Sequence, residues 1–260
     1  MISALRRLLA EPAVRGLDLD APGRAGAHRK LIEGRPFLRR VYAEWGEWLG
    51  ASIPEGPGAV IELGAGAGGL LADRGCFSSD LVFSDSLDLV LDGQRLPFAG
   101  GVLRGIAMTN VFHHLPEPRR FLAEAARCVR PGGAVVMIEP WCTPWSRFIY
   151  GRFHHEEIDV HAREWEAPGT GPMTGANSAL PWIVFARDRA HFESGFPEWR
   201  LDRVEPYMPF RYLLSGGLSL RQLMPGWSFG FWSGVERALG FAAGATAMFA
   251  RIRLLRAGAG

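Results

Sequence analysis

Between Ala59 and Pro140 short apolar runs alternate with helix-like stretches, and that alternation constrains the fold more than anything else in the chain. The runs AVIEL, DLVFS, LRGIAMTN and GAVVMIE are each long enough for one strand, while EPRRFLAEAARCV has the apolar spacing of an amphipathic helix. Strands that alternate with helices build a parallel sheet with crossover connections, so the expected class is α/β. Arg130-Pro131-Gly132-Gly133 ends the helix that begins near Pro118 and turns the chain into GAVVMIE. Proline stops the helix there, and glycine supplies the positive φ that the turn needs.

The first of these runs leads straight into glycine. In VIELGAGAGG, Val60 to Gly69, a strand followed by Gly64, Gly66, Gly68 and Gly69 brings backbone N–H groups and a helix start against a ligand without obstruction. Glycines alone would also suit an ordinary tight turn. Glu62 discriminates, because a carboxylate two residues before Gly64 would repel the pyrophosphate of a dinucleotide and attract a cation. S-adenosyl-L-methionine meets that requirement: it carries a sulfonium and an ammonium group, no phosphate, and a ribose diol that needs an acceptor. Asp85, at the end of LVFSD, is expected to be that acceptor, since an acid after the second strand, about twenty residues past the glycines, binds ribose in dinucleotide folds.

Taken together these segments resemble the class I S-adenosylmethionine-dependent methyltransferases of the type 11 group. The resemblance covers roughly Ala59 to Pro140, in the order VIELGAGAG, FSD, DGQRLPF, MTNVFHHL, EAARCVRPGG and VVMIEP. It implies that Glu62, Gly64, Ala65, Gly66 and Gly68 surround the methionine part of the cofactor and that Asp85 takes the ribose. It implies further that Asp92 with Gly93 flanks the adenine and that Asn110 lines the pocket after the fourth strand. The fold it implies is a doubly wound, mainly parallel Rossmann-like sheet whose last strand, around Ala247 to Leu255, inserts antiparallel. One departure is visible: only SLDLVL separates Asp85 from Asp92, whereas a crossover with a helix needs about ten to twelve residues. Either DLVLDG pairs as a stunted edge element or it runs extended without pairing.

From Trp141 to about Pro197 the alternation stops, and an aromatic-rich insertion follows the fifth strand with one helix-like run, SALPWIVFARDRAHFES. Of the 29 aromatic residues in the chain, 20 follow Pro140, which suits either a small core of the insertion itself or an acceptor pocket lined by apolar side chains. The insertion is expected to form an acceptor lid. Candidate general bases are His154 and His155 within it, Glu139 directly after the fifth strand, and His114 in the turn after the fourth; capping that turn is the plainer role for His113 and His114. No metal site is expected, because HHEEIDVH does not give the HExxH pair on one helical face.

The remaining features bound the class. A chain of 260 residues suits one α/β domain, organised as a helical segment over 1–50, a cofactor core over 59–140, an insertion over 141–197 and C-terminal strands over 198–260. The net charge of +2 is spread along the chain without a basic run, which argues against nucleic acid. Three scattered cysteines suit reduced thiols and a cytoplasmic location. MISALRRLLAEPAV reads as a short amphipathic helix, and WSFGFWSGVERALGFAAGATAMFA is too interrupted by Glu236, Arg237 and glycine to span a bilayer, although peripheral membrane contact stays open. The expected function is methyl transfer to a small-molecule, lipid or saccharide acceptor. An NAD(P)-dependent oxidoreductase or epimerase is the alternative, weakened because Lys30 is the only lysine and no tyrosine can pair with one in a Tyr-x-x-x-Lys motif. An inactive cofactor-binding partner subunit is the third reading.

Overall fold

The computed structural model describes residues 9–14, 23–66, 68–153, 158–166 and 175–258. Its centre is a seven-stranded sheet in the order β3-β2-β1-β4-β5-β7-β6. The strands are β1 (Ala59–Leu63), β2 (Phe77–Asp80), β3 (Leu89–Val90), β4 (Leu103–Thr109), β5 (Val129–Pro140), β6 (Trp199–Tyr207) and β7 (Phe249–Arg256). The pairs among the first five are parallel. β7 lies antiparallel between β5 and β6, in register from Ala134 opposite Leu255 to Pro140 opposite Phe249. The doubly wound, mainly parallel sheet with an antiparallel last strand is therefore the observed fold.

β5 shows why the sheet is buried on both sides. Val135 and Met137 point into one core while Ala134, Val136 and Ile138 point into the other, the two-residue period of a strand covered on both faces. One face is covered by α1 (Gly23–Gly34) and α2 (Pro36–Ser52), of which α2 buries Phe37, Leu38, Val41, Trp45 and Leu49 along one stripe and starts with proline in its first turn. The other face receives α3 (Pro118–Cys128) and the helical run over 180–195, which ends in α5 (Arg189–Gly195); α4 (Pro144–Phe153) precedes that run. The turn Arg130 to Gly133 is an excursion within β5: Leu103 pairs with Val129 and Gly105 already with Ala134, and Gly132 has φ +74°.

Two expectations change at one end of the sheet. The run DLVFS is not a strand; β2 is FSSD, and Leu81 and Phe83 lie exposed beyond it. Two buried serines hold β2 in place, Ser79 Oγ donating to the Glu62 carbonyl at 2.8 Å and Ser78 Oγ to Asp88 Oδ2 at 2.7 Å. Among the described residues no α-helix follows the glycine loop either, and a 3-10 turn, Ala72–Arg74, stands between β1 and β2. The connection from β2 to β3 lacks a helix as expected, and Leu89–Val90 pairs with β2 as the stunted edge element. The described insertion is largely core: Trp165, Leu180, Ile183, Val184, Phe185, Phe192 and Phe196 pack on the sheet with Met137 and Ile252.

Candidate functional site

Because β1, β2, β4 and β5 run parallel, their carboxyl ends share one edge, and that edge carries the glycine loop. Gly64 leaves β1 at φ +67°, and a Cβ on it would stand 2.2 Å from Val111 Cγ2, so only glycine lets the loop close on the turn after β4. Gly68, at φ +104°, lies against α1: a Cβ there would be 3.5 Å from Arg29 Nη1. Ala65 is buried and Gly66 half-buried between them.

Three carboxylates fasten this edge, each at the end of a different strand. Glu62, in β1, accepts from the Leu70 and Leu71 N–H groups, both at 3.0 Å, and thus holds the exit of the loop. It is buried, and that burial pushes its pKa up against the two backbone bonds that pull it down. Its carboxylate is turned toward the backbone rather than into the mouth of the loop. Asp80, the last residue of β2, accepts from the Gly66 N–H at 2.9 Å and the Val82 N–H at 3.1 Å. Glu139, in β5, is fully buried; Oε1 accepts from the Val111 and Phe112 N–H groups at 2.8 Å each, and Oε2 lies 2.7 Å from His113 Nδ1.

The turn after β4 is thereby tied to β5. Asn110 adopts φ +55°, a left-handed conformation that asparagine tolerates better than most residues, and its N–H donates to the Ile138 carbonyl at 2.9 Å. The His113 and His114 rings lie 4.1 Å apart, tilted by 40°, and His114 Nδ1 is 3.2 Å from the Gly175 carbonyl. Asn177, buried in the insertion, joins in: its N–H donates to the His113 carbonyl, and its side chain bonds Asp159 and Ala179.

The expected site residues thus divide. Glu62, Gly64, Ala65, Gly66, Gly68 and Asn110 come together at the carboxyl edge. Asp92 and Gly93 follow β3 at the same edge, although Asp92 bonds the Gln94 N–H at 2.8 Å and Gly93 packs near Leu63 and Phe121. Asp85 does not end the second strand; it is an exposed residue of the loop five positions past Asp80. The spacing rule that selected it assumes a crossover helix, and a 3-10 turn in its place brings the acid earlier. His154 and His155 lie outside the described residues. Sequence reasoning missed Asp80, Arg29 and Asn177; the pair Ser79-Asp80 was the available signal for the first, hidden by the more apolar LVF that follows.

Residues 78–137 match the family model described as a methyltransferase domain. A curated relative, an uncharacterized methyltransferase of Mycobacterium sp. (strain JLS), is 38% identical over 64 residues, 24% of this chain and 25% of its own length. The match thus spans about a quarter of that relative. Among solved structures, geranyl diphosphate C-methyltransferase from Streptomyces coelicolor A3(2), with Mg2+, geranyl diphosphate and S-adenosyl-L-homocysteine, aligns with TM-score 0.54 at 13% identity over 95% of this chain and 89% of its own. A geranyl diphosphate methyltransferase in complex with S-adenosylmethionine aligns with TM-score 0.52 at 17% identity over 95% and 97%. The fold is the Rossmann-like fold of the class I methyltransferases, and residues 78–137 carry the methyltransferase-domain signature that the sequence resembles. Among the described residues no helix is long and apolar enough to cross a membrane.

Proposed function

We propose that the chain is an S-adenosylmethionine-dependent methyltransferase with a small-molecule or lipid acceptor. The observation that carries this reading is the convergence of the glycine loop, Asp80 and the left-handed Asn110 at the carboxyl edge of the parallel strands, where ligands bind in open α/β sheets. The residues fit the group. Asp80 is half-buried with its carboxylate beside Gly66, suited to accept the ribose hydroxyls. Arg29, next to Gly68, is suited to the methionine carboxylate. A dinucleotide fits less well, because among the described residues a 3-10 turn, and no α-helix N-terminus, follows the loop to receive a pyrophosphate.

When bound, S-adenosylmethionine supplies a methyl group on a sulfonium; the chain supplies position. Holding the acceptor in line is worth on the order of 7–11 kcal/mol, so a base is not essential. Glu139 is a positioning residue, both of its oxygens being engaged by the turn it fixes. His114, half-buried in that turn, is the imidazole we place nearest the transferred methyl, with His154 and His155 as candidates from the insertion. Isothermal titration with S-adenosylmethionine, S-adenosylhomocysteine and NADH tests the reading: binding of the first two alone is expected, and binding of NADH alone would overturn it. Transfer of radiolabelled methyl to fractionated cell extract then separates an enzyme from an inactive partner subunit.

A further inference from the structure

We propose that the helical segment 226–246 is a membrane-docking surface that seats on a bilayer containing anionic lipids. This inference is independent of the methyl-transfer reading. The segment runs through the 3-10 turn Gly226–Ser228, helix α6 (Phe229–Ala238), the 3-10 turn Gly240–Ala242 and the short turn Ala243–Thr246. Helical spacing divides its residues into two sides. Phe229 and Glu236 face the protein. The Phe229 ring meets Phe37 edge-on at 5.2 Å, and Glu236 accepts from the Phe210 and Arg211 N–H groups at 2.9 and 2.8 Å.

The opposite side carries Trp227, Phe231, Gly234, Ala238 and Phe241, at alternating steps of four and three residues. Trp227 is 85% exposed, Phe231 67% and Phe241 88%. One exposed aromatic side chain is ordinary on a protein surface. Three aligned on one side of one segment form a patch of the kind that marks an interaction surface.

Charge selects the occupant. From Pro206 to the last residue the sequence has one acidic side chain, Glu236, against six arginines. Glu236 is withdrawn from the surface, because the Arg211 guanidinium pairs with it inside the protein. The exposed charged residues of 221–246 are therefore Arg221 and Arg237. Arg39 and Arg40 add to them from α2, with the Arg40 guanidinium 4.5 Å from the centre of the Phe229 ring. The exposed Glu47 stands about two turns farther along α2 than Arg40. Aromatic side chains bordered by arginines, with no exposed carboxylate within the segment, match the boundary between anionic headgroups and acyl chains.

Flotation of the full chain with vesicles of phosphatidylcholine, alone or with phosphatidylglycerol added, tests this. The expected result is binding to the anionic vesicles that weakens in high salt. A variant carrying W227S, F231S and F241S should lose about tenfold or more in partitioning, since each tenfold corresponds to only a fraction of one aromatic side chain's transfer free energy. Its circular dichroism and melting temperature should stay those of the wild type. If the triple variant does not fold, F241S alone and R237E, both at exposed positions, must each reduce binding to anionic vesicles. A wild-type chain that floats with neither vesicle, or variants that float as well as the wild type, would overturn the proposal. So would sedimentation showing a dimer that these substitutions dissolve, because the patch would then belong to a second copy of the chain.

Discussion

On one side of β4 the sheet continues through strands of 12, 8 and 9 residues, and on the other through strands of 5, 4 and 2. The long half has helices over it and carries most of the buried side chains, among them Val135, Met137, Phe249, Ile252 and Leu254. In the short half the described residues of both crossovers form no α-helix, and Phe77, Leu81, Phe83 and Val90 stay exposed. Yet the glycine loop and Asp80 lie on that short half. The contrast separates two settings: the long half holds long, deeply buried strands, and the lightly packed half carries the loop of the proposed cofactor site, in keeping with binding regions being drawn from the low-stability end of a fold.

Substitutions that act on fold in one half and on affinity in the other sharpen this contrast. The largest effect is expected at Glu139. Glu139→Ala takes the shared acceptor from two backbone N–H groups and one partner from buried His113, and should cost about 3–5 kcal/mol in urea denaturation. A loss below about 1 kcal/mol would mean that the turn after β4 is held by other contacts. Next, Ile252→Ala in β7 should cost about 2–5 kcal/mol, while Val90→Ala in β3 stays within about 0.5 kcal/mol. Similar losses at both positions would break the comparison outright.

The third effect concerns affinity. Asp80→Ala should weaken S-adenosylmethionine binding by about 1.5–3 kcal/mol, whereas Asp85→Ala should leave titration curves unchanged. The reverse result would return the ribose to Asp85. The smallest effect is a pH slope from Glu62. Its folded pKa is raised by burial, so the folded state holds this proton more tightly than the unfolded one, and stability from this group is lost as pH rises from the ordinary 4.5 through the raised value. Melting curves across that window should fall with pH by at most about 1.4 kcal/mol per unit on this account, and Glu62→Gln should remove the slope.

Much of the long half was legible because its residues obey local rules. β5 alternates between two cores, α3 opens with proline, and β7 was placed once the resemblance supplied a position for it. The short half was harder because hydrogen bonds place β2 instead of hydrophobicity. Ser78 and Ser79 are buried on partners 10 and 17 residues away, while the apolar letters that attract the eye, Leu81 and Phe83, face water. The hydrogen-bond partners of the candidate site acids were hidden for a related reason. Glu62 and Glu139 are acids at the expected positions, but each is occupied by backbone N–H groups eight or more residues distant, a use that spacing does not reveal. The aromatic residues after Pro140 suited both a core and a pocket, and in the described part of the insertion Trp165, Phe185, Phe192 and Phe196 went to the core.

The place of β7 also sets the order in which the sheet can be assembled as the chain is synthesised. β6 touches no strand but β7, and the outer edge of β5 is closed by β7 alone. Until residues 249–256 have been made, a 12-residue strand therefore has an open edge, and the nine residues of β6 have no neighbour to pair with. Nascent chains pass through a stage with two unpaired edges, the kind of surface that recruits wrong partners. β7 enters between two strands that precede it in the chain and closes both edges at once, so this sheet is complete only after residues 249–256 have been made.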